Sequence, residues 1–154
     1  MATENQNSNH LLLDTLPSAK GLRFALVVSH WNSEITESLY EGAKNILSQK
    51  NATQIDRIDV PGSFELVYAS RSAIDRDYDA VIAIGSVIRG ETSHFDYVCQ
   101  GVTNGIQQLN ALGKAPVIFC VLTDDNLDQS RARSGGSLGN KGVEAAAAAI
   151  QMAR

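Results

Sequence analysis

Residues 80 to 95, AVIAIGSVIRGETSHF, constrain the fold more than any other stretch of the chain. The run Ala80 to Ile84 is short, apolar and rich in β-branched side chains, which predicts a strand buried on both faces. Gly85 and Ser86 end that run, Val87, Ile88 and Arg89 follow, and Gly90-Glu91-Thr92-Ser93 makes a tight polar turn. A helix should begin at once, because Val98, Val102, Ile106 and Leu109 recur at the spacing of one buried helical face. Ser93 suits its N-cap, and Asp96 three residues on gives a loose capping box. A buried strand thus runs through a glycine turn into a helix N-terminus. Free N–H groups there, at the positive end of the helix dipole, favour an anion such as phosphate. His94 falls in the first turn of that helix, where the dipole disfavours imidazolium and leaves a neutral base.

The rest of the chain repeats this alternation. Arg23 to Ser29, RFALVVS, predicts a first strand, closed by His30-Trp31-Asn32. A helix capped by Ser33 follows, with Ile35, Leu39, Ala43, Ile46 and Leu47 on one face and Glu34 and Glu37 early, where the dipole favours acid. IDRIDV at 55 to 60 predicts a second strand, stopped by Pro61-Gly62-Ser63, and Phe64 to Ile74 a second helix with Leu66, Val67 and Ala73 as core contacts. Gly113 ends the helix after the third strand, and Val117 to Leu122 is the fourth strand. Thr123-Asp124-Asp125 offers caps for a short helix to about Arg131. The glycine-rich stretch 135 to 139 leads to a last helix from Lys141, whose alanine run suits close packing. Leu11-Leu12-Leu13 is an apolar burst with no core of its own to join; as part of an arm, residues 1 to 20, it either adds an edge strand to this sheet or, the favoured reading, docks on another subunit.

Four strands alternating with helices predict an α/β domain over residues 21 to 154: a doubly wound sheet of four parallel strands with helices on both faces. At 154 residues one such domain can bury a core unaided. With 44% hydrophobic and 19% charged residues the chain is globular rather than disordered, and its net charge of -4 gives no electrostatic reason to expect nucleic acid or an anionic membrane. Cys99 and Cys120 have no partner at metal spacing and read as two buried thiols in a reducing compartment. The polar start MATENQNSNH lacks the basic region of a secretory signal, and no apolar run is long enough to span a bilayer, so a cytoplasmic protein is expected.

Ligands of such sheets bind beyond the carboxyl ends of the strands. Trp31, Ser63, Ser86 to His94 and Thr123 all fall there, which predicts one composite site. Trp31 could cap an apolar junction or stack on a heteroaromatic ligand. Glu65 suits a helix dipole by itself, and with Ser63 could bind a polyol. Arg133, solvated in most contexts, gains meaning if its fork faces the same anion, while Lys141 and Glu144 could be a surface pair. The chain has neither GxGxxG nor GxxxxGK[ST], which argues against a Rossmann dinucleotide site and a P-loop.

Trp31-Asn32, PGSFE at 61 to 65, GSVIRGETSHFDYV at 85 to 98 and RSGGSLGNKGVEAA at 133 to 146, in this order, resemble the 6,7-dimethyl-8-ribityllumazine synthase family. The resemblance runs from about Gly21 to Ala153. It implies a flavodoxin-like fold and condensation of 5-amino-6-(D-ribitylamino)uracil with 3,4-dihydroxy-2-butanone 4-phosphate, the penultimate step of riboflavin biosynthesis, with no cofactor and no metal. Carried over by position, Trp31 stacks on the pyrimidine, Ser63, Phe64 and Glu65 line the ribityl site, and Ser86, Val87 and Ile88 meet the pyrimidine edge through backbone groups. Glu91, Thr92 and Arg133 hold the phosphate, and His94 transfers protons. Phe119 comes from a neighbouring subunit, and Lys141 assists near the phosphate and ribityl groups. Glu91 is acidic where many relatives carry a small residue, so its N–H rather than its carboxylate is expected to meet the phosphate. The resemblance also implies pentamers with sites between subunits, in some members stacked into sixty-subunit icosahedral shells that can associate with riboflavin synthase. Two other readings compete: a scaffold of this fold that binds a flavin-like ligand without turnover, and a flavodoxin-like module for flavin mononucleotide. The latter needs a Ser- or Thr-rich phosphate loop after the first strand, where this chain has Trp31-Asn32-Ser33.

Overall fold

The computed structural model describes residues 13–153. Its elements are β1 (Arg23–Ser29), α1 (Ser33–Gln49), β2 (Gln54–Val60), a 3-10 turn (Ser63–Glu65), α2 (Leu66–Ile74), β3 (Ala80–Ile88), α3 (His94–Leu112), β4 (Val117–Asp124), α4 (Leu127–Arg133), a hairpin of β5 (Ser134–Gly136) and β6 (Gly139–Asn140), and α5 (Lys141–Met152). The four long strands are all parallel, in the order β2-β1-β3-β4. The expected doubly wound α/β sheet is therefore present, and its order reverses between β1 and β3, where such folds open a crevice.

Strand alternation divides the core into two layers. Leu26, Val28, Ile82, Ile84 and Leu122 face α1 and α5, while Val27, Val81, Ala83 and Val121 face α2 and α3. The central strands β1 and β3 are buried on both sides, whereas β2, at the edge, stays half-buried until Val60. The alanines of α5 pack against α1 with little side chain between. Of the two thiols expected to be buried, Cys120 is, whereas Cys99 is only half-buried.

Several boundaries differ from the reading of the sequence, each for a local reason. β3 does not stop at Ile84 but pairs with β4 through Ile88. Gly85 and Ser86, turn formers elsewhere, are accepted here because Ser63 and Leu66 occupy the space a side chain at 85 would need. The N-cap of α1 is Asn32, at φ 56 and ψ 49, and not Ser33. Asparagine tolerates this left-handed conformation better than most residues. Ser93 does stand at the N-cap of α3, but its side chain makes no cap bond and the expected capping box does not form. The carboxylate of Asp96 is taken by Arg89 instead. Asn126, not Thr123 to Asp125, caps α4 by accepting from the Gln129 N–H, since β4 extends to Asp124. The second helix begins as the 3-10 turn and becomes α-helical only at Leu66.

The segment before β1 also differs. Leu13 begins a helical turn and packs with Leu16 and Ala19 on this chain's own core. The Ala19 N–H donates to Lys50 O at 2.6 Å, and Lys50 Nζ to Leu16 O at 3.1 Å. Leu13 therefore does have a core to join, corrected because the C-terminal end of α1 supplies hydrogen-bond partners for that strap. Leu11, Leu12 and residues 1 to 10, with His10, lie outside the described residues. Among the described residues no helix is long and apolar enough to cross a membrane.

Candidate active site

The crevice follows from unequal strand lengths. β1 pairs with β3 only as far as Val28 opposite Ile84, while β4 continues alongside β3 to Ile88. The Val81 and Arg89 N–H groups both donate to the β4 side. By strand alternation, the main-chain groups of Ser86 and Ile88 face the other way, past the end of β1. Asn32 takes one of them: its Nδ2 donates to Ser86 O at 2.9 Å. The left-handed turn at Asn32 thus performs two tasks, starting α1 and tying the end of β1 to the overhang of β3.

Trp31 precedes that turn and is 72% exposed, so it covers no junction. It contributes to an open depression of about 500 Å³, bounded by His30, Asn32, Glu34, Pro61 and Leu127. Arg131 of α4 pairs with Glu34 at 2.8 Å and, chiefly through that hydrogen bond, lowers the Glu34 carboxyl below its usual range. A side chain at Gly62 would meet Glu65 Oε2 at 3.0 Å and Trp31 Cδ1 at 3.4 Å, so the glycine lets the indole and the carboxylate approach one another. Ser63 is buried, its Oγ packed over Gly85, whereas Glu65 is exposed. Phe64 is exposed on one side and lies against Gly101 of α3 on the other.

Beyond β3 every residue from Arg89 to His94 is exposed, including Glu91 and Thr92. His94 opens α3 as expected, and its N–H lies 3.4 Å from Thr92 Oγ1. Arg89 organises this corner. Its guanidinium donates to Asp96 at 3.1 Å and Asp125 at 3.0 Å and stacks 4.2 Å from the Phe95 ring centroid. Those carboxylates, Asp96 foremost, raise its pKa further. Arg133 is half-buried: its Nη1 donates to Gln129 O at 3.0 Å and its Nε lies 4.0 Å from Asp124, which also accepts from Ser130 Oγ at 2.7 Å. Lys141, at the start of α5, pairs with Glu144 at 2.7 Å. Phe119 lies on the α3 side of β4, 41% exposed and five residues short of the strand's carboxyl end. The chain therefore brings Trp31, Glu65, Ser86 and Ile88 around one crevice and His94 and Arg133 to the same end of the sheet, while Phe119 stays apart. Among the described residues no cluster of His, Cys, Asp and Glu is suited to a metal.

The family model described as 6,7-dimethyl-8-ribityllumazine synthase matches residues 21–154. The chain belongs to this family. Proteins named 6,7-dimethyl-8-ribityllumazine synthase from Flavobacterium johnsoniae and Christiangramia forsetii are 56% and 53% identical to it. The first comparison covers 99% of this chain and 82% of the relative, the second 100% and 94%. A protein of that name from Porphyromonas gingivalis is 48% identical over 99% of this chain and 97% of its own length. For a lumazine synthase family member, reasoning from sequence missed the structural duties of Asn32, Arg89 and Asp125. Asn32 was legible in part as an asparagine directly after a strand; the pairing of Arg89 with Asp125, 36 residues away, left no local signal.

Proposed function

We propose that the protein condenses 5-amino-6-(D-ribitylamino)uracil with 3,4-dihydroxy-2-butanone 4-phosphate to give 6,7-dimethyl-8-ribityllumazine, phosphate and water. The observation that carries this reading is the overhang of β3. Ile88 extends main-chain groups past the end of β1, Asn32 links the Ser86 carbonyl to the turn that carries Trp31, and a main-chain edge with an exposed indole fits the polar edge and flat face of a pyrimidine. Glu65, next to the indole, is placed to accept hydroxyls of the ribityl chain. The N–H groups of the 91 to 92 turn at the head of α3 suit the phosphate, with Arg133 at the same end of the sheet.

The chemistry needs proton transfers and no redox step. The uracil's amine adds to the ketone and water leaves, giving an imine. Loss of a proton from carbon then expels phosphate, and the carbonyl formed after tautomerisation closes the ring with the second nitrogen, its oxygen leaving as a second water. His94 relays these protons, and holding both substrates in register supplies much of the remaining acceleration. Lys141 assists near the phosphate and ribityl groups, Phe119 closes the site of a neighbour, and the working unit is a homo-oligomer built from pentamers, with a shell and an enclosed riboflavin synthase as its further elaborations. The setting is the cytoplasm.

The test is a mixing assay with both substrates, following the fluorescent lumazine against an enzyme-free control. Acceleration is expected, and His94→Ala should reduce turnover by about a hundredfold or more, the scale of positioned acid–base catalysis, without changing the assembly. Pyrimidine binding without acceleration would replace this reading by that of a ligand-binding scaffold.

A further inference from the structure

The strand-to-helix junction holds a second arginine that the reaction as proposed does not use. Arg89 donates its main-chain N–H to Asp124 O at 3.0 Å, its Nε to Asp125 Oδ1 at 3.0 Å, and Nη2 and Nη1 to Asp96 at 3.1 and 3.4 Å. Its guanidinium also lies over the Phe95 ring. One side chain therefore fastens three segments: the end of β3, the first turn of α3 beside His94, and the loop from β4 to α4, which follows the strand's last residue Asp124, itself facing Arg133. Between Arg89 and His94 run only Gly90 to Ser93, all exposed, so packing does not fix the turn whose N–H groups are proposed to meet phosphate.

The geometry points to Arg89 as a positioning residue that sets the 90 to 93 turn and the head of α3 for the phosphorylated substrate without touching it. This rests on the lumazine-forming reading. A turn fixed in advance loses less freedom when ligand binds. Arginine suits the task because its planar fork engages two carboxylates at once, whereas lysine carries the same charge as a single point.

The sign of two substitutions separates positioning from plain electrostatics. If Arg89 and Asp125 acted only through charge, removing the carboxylate would strengthen binding of an anion, and Arg89→Lys would change little. A clamp requires both Asp125→Asn and Arg89→Lys to weaken it. The expected result, in the intact oligomer, is a rise in KM for the butanone phosphate of about threefold in each, at the upper end of what exposed ion pairs contribute. The dissociation constant of the ribitylaminouracil, read from Trp31 fluorescence, and the thermal midpoint should stay at the wild-type values. A lower or unchanged KM in Asp125→Asn, or parallel losses for both substrates, would overturn the assignment. Amide hydrogen exchange over residues 90 to 96 in the same samples keeps the two proposals distinct. Faster exchange in the variants with no wild-type turnover retains the clamp and overturns the reaction, whereas unchanged exchange overturns the clamp.

Discussion

Cys120 shows how far a single side chain can be removed from the chemistry around it. It lies in β4 among Ile84, Leu122 and the alanines of α5, and burial first, then Glu144, pushes its thiol from 9.0 up to about 12. The native chain therefore keeps a proton that the unfolded chain releases above pH 9. Stability is unaffected by this group below pH 9 and falls as pH rises from there towards about 12, because the unfolded state then binds fewer protons. Native protein at pH 8.5 should leave Cys120 unmodified by iodoacetamide until denaturant is added, as peptide mass analysis would show. Rapid native labelling at Cys120 would contradict the burial. The positions of Trp31, Ser63 and His94 beyond the strands were legible from the alternation of strands and helices. What each side chain touches was not. The hydroxyl of Ser63 is packed over Gly85, 22 residues away in the chain, and nothing local in the sequence announces that neighbour.

At the scale of elements, the hairpin and α5 depend on a close seam with α1. Asn140 donates to Ser38 O at 3.0 Å and accepts from the Gly142 N–H at 2.8 Å, while Ser38 Oγ donates to Ser134 O. Gly142 permits this: a Cβ there would overlap the Leu39 carbonyl and approach Asn140 Oδ1 to 2.9 Å. Gly142→Ala should destabilise the fold by about 3 kcal/mol or more, at the costly end of overpacking, because the obstruction is backbone rather than a side chain that can turn away. A thermal or denaturant midpoint equal to the wild type's would show that α5 can slide without loss. Strands and helices were readable from periodicity because their buried faces repeat at two or at three to four residues. The ends were less so. Ser33, Ser93 and Thr123 to Asp125 all have the right composition for caps, but α1 and α4 are capped by Asn32 and Asn126, and Ser93 holds its N-cap position without a side-chain cap bond. Side-chain bonds formed at longer range, from Asn32 to Ser86 and from Asp96 to Arg89, decided the outcome.

For the whole molecule, the placement of Phe119 is the feature one chain does not account for. It stands five residues before the carboxyl end of β4, on the edge strand, with its ring partly exposed on the α3 side. At roughly 3.3 Å per residue it is about 16 Å along the strand from the end that bears the crevice, beyond the reach of a phenyl ring. A role at the active site is then possible only at another subunit's crevice, and a ring with one repeated contact between unlike surfaces would supply that arrangement at every site. Subunit mixing tests this directly. On the proposed reading His94→Ala loses the base in its own crevice and Phe119→Ala the ring offered to its neighbour, so each variant alone should be impaired. If the two are unfolded together in equal amounts and reassembled, a site is complete when its base comes from a Phe119→Ala subunit and its ring from a His94→Ala subunit. Each choice has even odds, so about a quarter of the sites should recover under random assembly of such a ring. Activity of the mixture should exceed the mean of the two variants measured separately. No gain, in an assembly shown to be mixed by mass, would place Phe119 and His94 in the service of the same chain and remove the shared site.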